Sequence, residues 1–240
     1  MVAGLPATVL APAKLTLSLR VTGRRADGYH LLDAEMVTID LADELELEEG
    51  DGLEITGSAT AGVATDDRNL VRRALAATGR RAHVRLTKHI PAGAGLGGGS
   101  ADAAAVLRWA GVTDPAVAAG LGSDVPFCVA GGRARVTGVG DVLEPLPVEP
   151  KVFTLLTPPF GVSTPAVYRM WDEMGGPTSA GPNDLDAAAL AVEPRLAQWR
   201  DTLGNLTGET PVLAGSGSTW FVDGTFEGPG LVVARTTVPG

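Results

Sequence analysis

An α+β fold is predicted by three features of the sequence. Strand-like and helix-like segments alternate without the regular cadence of a barrel, a proline-rich stretch at 145–150 divides the chain, and a glycine-rich loop separates a strand pattern from a helix pattern. The 240 residues suffice for a core of ordinary size, and 45% hydrophobic with 20% charged residues is globular composition rather than disordered or fibrous. The proline stretch places a domain boundary near residue 148, giving a first portion over 1–148 and a second over 149–240.

Taken in order, residues 9–21 read as a strand region interrupted by Pro12, and 36–47 alternates as a second strand ending in acidic turn residues. Residues 69–77 carry helical spacing, with Asp66, Asp67 and Asn69 as start signals and Gly79 as the stop. A strand over 82–90 ends at Pro91, and the glycine loop follows over 93–99. A helix is expected over 100–110, capped by Ser100, filled with alanine and closed by Gly111, whereas 111–122 reads as helix-breaking and turn-like. The second portion opens with a buried strand over 152–156. Helical segments follow near 165–174 and 185–199, and strands near 219–222 and 231–235.

A formal charge of -9 disfavours nucleic acid or an anionic membrane surface as the main partner, yet it allows a compact anionic ligand held by local amides and one or two cations. The lone Cys128 cannot form an intrachain disulfide, residues 1–19 show no basic-then-apolar leader, and no run approaches the ~20 apolar residues of a membrane span. The expected location is the cytoplasm. His30, His83 and His89 are unclustered, which does not support a histidine metal site. Sixteen of the nineteen basic residues are Arg, so Lys14, Lys88 and Lys151 stand out as positions that could need a compact point charge, although Lys151 reads as an ordinary solvated lysine.

The loop Pro91-Ala92-Gly93-Ala94-Gly95-Leu96-Gly97-Gly98-Gly99-Ser100-Ala101 is the most informative segment. Glycines let the backbone approach an anion closely with its amides turned inward, and a helix starting beside them adds free amides and a positive dipole end. Phosphate is the natural guest; a flexible linker or a plain strand-to-helix turn is the alternative. Gly93, Gly95 and Gly98 also satisfy the dinucleotide pattern G-x-G-x-x-G, but the required acidic strand end about 20 residues later is missing, since Asp124 sits in Gly-Ser-Asp-Val-Pro. No lysine follows the glycines as a Walker loop requires.

This loop resembles the ATP-binding loop of the galactokinase, homoserine kinase, mevalonate kinase and phosphomevalonate kinase (GHMP) superfamily. Four further segments extend the resemblance over most of the chain: Ala11-Pro-Ala-Lys14-Leu, Arg25-Ala-Asp-Gly-Tyr-His30, Leu121-Gly-Ser-Asp-Val-Pro-Phe127 and Gly138-Val-Gly-Asp141, with Gly215-Ser-Gly-Ser218 as a fifth. Together they resemble the branch whose acceptor carries a cytidine diphosphate group. The resemblance implies a two-domain kinase, with a ribosomal-S5-like ATP-binding domain over 1–148 and a ferredoxin-like domain over 149–240, acting as a monomer or homodimer. It implies ATP and Mg2+, and as acceptor the 2-hydroxyl of 4-diphosphocytidyl-2-C-methyl-D-erythritol in the non-mevalonate isoprenoid pathway.

By the same resemblance Lys14 and Asp124 are the catalytic pair at the acceptor hydroxyl, and the chemistry suits them. A carboxylate can orient a weakly nucleophilic alcohol and accept its proton, while an ammonium keeps that carboxylate ionised and stabilises the transferring charge. Tyr29 and His30 match residues that hold cytosine by stacking and by hydrogen bonding, and Thr16 stands where a substrate-contacting asparagine is usual. Asn69 and Lys88 match positions near the adenine, with helix cap and strand-flanking charge as alternatives; Pro91 to Ala101 would line the phosphates. The loop ends Gly-Ser-Ala rather than Gly-Ser-Ser, and the interval 100–121 is short for the family. A kinase of the superfamily acting on another small alcohol, a non-catalytic nucleotide-binding member and, last, a dehydrogenase are the remaining readings.

Overall fold

The structure, a computed structural model, describes residues 4–239. Its first part is a six-stranded sheet built from β1 (Ala7–Arg24), β2 (His30–Glu48), β3 (Gly52–Gly57), β4 (His83–Lys88), β5 (Arg133–Gly138) and β6 (Val142–Leu146). The strands run in the order β3-β4-β2-β5-β6, with β1 paired to β2; β3 and β4 are parallel and the other pairs antiparallel. Helices α1 (Leu70–Thr78), α2 (Gly98–Ala110), α3 (Pro115–Leu121) and α4 (Val125–Ala130) complete this part. The second sheet, β10-β7-β9-β8, comprises β7 (Val152–Leu156), β8 (Val212–Leu213), β9 (Trp220–Asp223) and β10 (Leu231–Arg235), all antiparallel. With it go α5 (Thr164–Glu173), α6 (Asp186–Val192) and α7 (Leu196–Thr207).

The mixed α+β class is therefore observed, and several element readings need correction. Pro12 does not interrupt the first strand, because β1 is ladder-bonded only by β2 and a proline there gives up no needed donor. The irregularity lies just beyond it. Pro12 pairs with Ala42 but Lys14 pairs with Thr38, so residues 39–41 of β2 leave the β1 ladder. They are taken up by the other sheet: Ile39 bridges Thr236, and the Arg235 amide donates to the Asp40 carboxylate at 2.7 Å. The Thr237 amide donates to the Thr38 carbonyl at 2.9 Å, beside the same bulge.

Helix α2 begins at Gly98 rather than Ser100. Its cap is Gly97 in the left-handed region (φ 69°), with no side-chain bond, so Ser100 lies in the first turn and is not the cap. Alanines then bring this helix close to its neighbours, and Ala101, Ala103, Ala104 and Ala105 are fully buried. Residues 111–122 are not all turn: Asp114 caps the seven-residue α3 through the Ala116 amide, with Pro115 at its first position. The expected helix over 185–199 is two helices, α6 and α7, separated by Glu193, Pro194 and Arg195, where the proline lacks the donor that a continuous helix needs.

Asn69 caps α1 as its sequence position suggests. Its side-chain oxygen accepts from the Val71 amide at 2.8 Å, and its amide nitrogen donates to the Ala64 carbonyl at 2.7 Å. Asn69 is buried, so both bonds are shielded from water. Asn69→Ala is expected to lower stability by about 1 kcal/mol through the lost cap. Urea unfolding of the two proteins measures this, and an unchanged midpoint would show that the cap contributes nothing.

Candidate active site

The glycine loop is held by its carbonyls. Gly93 O accepts from Val162 and Ser218 amides (3.0 and 3.1 Å), Ala94 O from the Thr219 amide (3.1 Å), and Leu96 O from the Lys14 amide (3.0 Å). Gly97 O takes the first bond of α2, from Ala101 at 2.8 Å. The amides of Gly95 to Ser100, by contrast, find no protein acceptor among the described residues. A loop that spends its acceptors on the protein and keeps its donors free is a cradle for an oxyanion, reinforced here by the dipole end of α2.

Glycine is required in this cradle for closeness as well as torsion. At Gly95 (φ 77°) a Cβ would come within 2.1 Å of the Ala214 carbonyl oxygen, and at Gly97 within 2.8 Å of Lys14 Cγ. The loop opens on a cleft of about 720 Å³, large enough for small-molecule ligands.

Lys14 and Asp124 meet in this cleft. Lys14 is 5% exposed; its ammonium lies 3.6 Å from Asp124 Oδ2 and donates to Thr16 Oγ1 at 3.0 Å. Its main chain sits at the β1 bulge, bonded to the loop, so one residue anchors the glycines with its amide and faces the cleft with its charge. Asp124 immediately precedes α4, and its carboxylate is 30% exposed at the cleft wall. Nearby Cys128 is no rival nucleophile: burial, with the Asp124 charge next, pushes its thiol up to about 12.

Tyr29 is exposed and His30 half-buried, and both line the cleft. His30 Nε2 lies 2.8 Å from Asp172 Oδ1, its ring stacks on Tyr168 (centroids 4.7 Å, 24°) and meets the edge of Trp171. Arg24 Nη1 is 3.4 Å from the other Asp172 oxygen. Burial, then the Asp124 charge, raises the Tyr168 phenol above its ordinary value, which keeps it a neutral donor. Tyr168 and Asp172 of α5, with Thr164, are cleft residues that sequence reasoning did not single out; Thr164 Oγ1 lies 2.8 Å from Oγ of Ser216, which belongs to the Gly215-Ser-Gly-Ser218 motif. Only the helical spacing of 165–174 was visible there, and it says nothing about what the helix faces.

The two residues predicted near adenine do not line the cleft. Asn69 is occupied as the α1 cap, and Lys88 lies beneath the loop, 2% exposed, between two carboxylates. Its ammonium donates to Asp43 and, at 2.7 Å, to Asp102 Oδ2; Asp43 Oδ1 also accepts from the Ile90 amide at 2.8 Å. Asp102 Oδ1 is buried without a partner. Burial outweighs the attraction of Lys88 and raises the Asp102 carboxyl from 3.8 to about 7. The cluster holds two acids against one ammonium, and the second acid is ionised only at a cost.

The cradle, the buried ammonium and the carboxylate beside it define an ATP-dependent phosphotransferase, and comparison with known proteins agrees. The family model described as GHMP kinases N terminal domain matches residues 69–132. The chain is 41% identical over 231 residues to the 4-diphosphocytidyl-2-C-methyl-D-erythritol kinase of Paracoccus denitrificans (strain Pd 1222), covering 88% of this chain and 84% of that protein. It is 38% identical to the protein of that name from Paramagnetospirillum magneticum (strain AMB-1), with 89% and 87% covered. A crystal structure of 4-(cytidine 5'-diphospho)-2C-methyl-D-erythritol kinase superposes with a TM-score of 0.74 at 34% identity, covering 98% of this chain and all of that one. The Methanococcus jannaschii mevalonate kinase, at 12% identity and a TM-score of 0.57, shares the fold. The chain belongs to the 4-diphosphocytidyl-2-C-methyl-D-erythritol kinase family.

The buried acid cluster has a measurable signature. With a folded value near 7 against 3.8 unfolded, the unfolded chain loses the Asp102 proton first, so stability falls as pH rises from about 4 to about 7 and is level above. Asp102→Asn keeps an acceptor for Lys88 and removes that loss. Its advantage over the parent in thermal unfolding is expected to widen across pH 4–7 to about 4 kcal/mol. An advantage that does not change with pH would place the titration elsewhere.

Proposed function

We propose that this chain transfers the γ-phosphoryl group of ATP to the 2-hydroxyl of 4-diphosphocytidyl-2-C-methyl-D-erythritol. The observation that carries the reading is the meeting of Lys14 and Asp124, 3.6 Å apart, in the cleft onto which the free amides of the glycine loop open. The names of the relatives supply the acceptor. No helix among the described residues is long and apolar enough to cross a membrane.

In this reading the amides of Gly95 to Ser100 hold the phosphates, leaving the terminal phosphorus near the ammonium of Lys14. Asp124 orients the acceptor hydroxyl and takes its proton as the oxygen bonds to phosphorus; the bond to the bridging oxygen breaks and ADP departs. Lys14 balances the charge gathering on the transferred group, and the Thr16 hydroxyl holds that ammonium in place. Tyr29 offers an exposed ring face to the base and His30 a hydrogen-bonding edge. Residues 1–148 would form the ATP-binding domain and 149–240 the domain closing the cleft with α5.

Magnesium fits the oxygen donors of the cleft. Among the described residues no group of three or more His, Cys, Asp or Glu forms an all-protein cage, and Mg2+ ordinarily takes most ligands from phosphate and water. The Ser100 hydroxyl, in the first turn of α2 and on the cleft wall, would be its protein contact. Bound there, it would neutralise charge on the β- and γ-phosphates.

Asp124→Asn removes the proton acceptor with little change of shape. Turnover with ATP and the cytidyl acceptor is expected to fall about 10²- to 10⁴-fold, while ATP still raises the melting temperature. Full turnover in this variant would remove Asp124 from the role of base.

A further inference from the structure

We propose that Asp172 is a positioning residue that fixes the tautomer of His30 and so makes the cleft choose a pyrimidine bearing an exocyclic amine over one bearing a carbonyl. The inference rests on the cytidyl reading above and adds to it the means of discrimination.

Three observations carry it. His30 Nε2 is 2.8 Å from Asp172 Oδ1. A carboxylate can only accept, so Nε2 carries a proton, and in the neutral imidazole the lone pair is then on Nδ1. Second, the ring cannot readily turn: Tyr168 stacks on its face and Trp171 abuts it edge-on. Third, Asp172 is itself held, because Arg24 lies 3.4 Å from its other oxygen. His30, Asp172 and Tyr168 all line the cleft, and Nδ1 makes no hydrogen bond to the protein among the described residues.

The consequence follows from the two base edges. Cytosine carries an amino group where uracil carries a carbonyl oxygen, and the rings are otherwise nearly alike in size. An Nδ1 lone pair welcomes an N–H donor and repels a carbonyl oxygen, which would leave both acceptors unpaired in a partly desolvated site. Shape alone could not separate such isosteres; a fixed acceptor can. The carboxylate of Asp172 therefore acts on the base through the imidazole without touching it.

The test compares turnover of cytidine- and uridine-diphosphate forms of the acceptor by the parent, Asp172→Asn, Asp172→Ala and Asp172→Glu. The parent is expected to prefer the cytidyl form. Asp172→Ala should shrink that preference by about tenfold or more, chiefly by raising KM for the cytidyl form rather than by lowering kcat. Asp172→Asn, whose amide can donate to Nε2 and drive the proton to Nδ1, should shift the preference toward uridine, and Asp172→Glu should restore part of the cytidine preference. Nitrogen NMR of His30 in the parent should show a protonated Nε2 and a bare Nδ1, which stands even where a variant does not fold. An unchanged base ratio in folded variants, or a proton on Nδ1 in the parent, overturns the proposal and leaves the kinase reading intact. Absence of turnover of either form by the parent overturns the kinase reading instead, and base selection with it.

Discussion

The constraint on which the rest of this molecule depends is the hydrogen-bonding polarity of residues 93–97. Each backbone unit offers one donor and one acceptor, and buried ones must be paired. Here the carbonyls of Gly93, Ala94 and Leu96 are taken by two different parts of the chain, Leu96 by Lys14 of β1 on one side and Gly93 and Ala94 by Val162, Ser218 and Thr219 on the other. The loop is thus a seam between the two sheets, and the seam leaves the amides of Gly95 to Ser100 without protein acceptors beside the cleft. A flexible linker with the same glycines would have no reason to sort its carbonyls from its amides.

The same seam explains where the charged pair sits. β2 cannot follow β1 past Pro12 while also receiving the end of β10, so the ladder slips by two residues and pairing resumes at Lys14. That slip carries the Lys14 amide to Leu96 and its side chain along the loop, between Gly97 and Gly215. A Cβ at Gly215 would stand 3.4 Å from the Lys14 ammonium, so glycine on both flanks makes the channel this side chain occupies. Docking of the sheets, placement of the cation and shape of the cradle are one arrangement rather than three.

Much of this was legible in the sequence, and the reasons for the gaps are physical. Long elements with caps were readable: Asn69 and Gly79 bound α1, and the strand over 152–156 lies where the apolar run places it. Short elements were not. α3 and α4 have seven and six residues, too few to show a period, and their glycine and proline neighbours look like turns. Of the site, the glycine loop, Lys14, Asp124 and the Tyr29-His30 pair announced themselves through clustered motifs near β1 and α2. Asp172 and Tyr168 did not, because their importance lies in which face α5 turns to the cleft, a matter of packing between distant segments. Lys88 was visible as a rare lysine, but its burial against Asp43 and Asp102, 45 and 14 residues away, left no local mark.

The preference for lysine at two buried positions in a chain that otherwise favours arginine also has a structural reason. Lys14 and Lys88 are 5% and 2% exposed, and each threads past glycine: Lys14 against Gly97, Lys88 Nζ within 3.3 Å of where a Cβ would stand at Gly98. A planar guanidinium with its forked donors needs more width than such channels give, whereas an ammonium fits and concentrates its charge at one point. For Lys14 that point is turned to the cleft, in surroundings of low dielectric where it is little screened by salt. A protein with a net charge of -9 can therefore hold a polyphosphate: the field that matters is set within a few ångströms by unpaired amides, one helix terminus and one shielded cation, and the distant acidic surface is screened away.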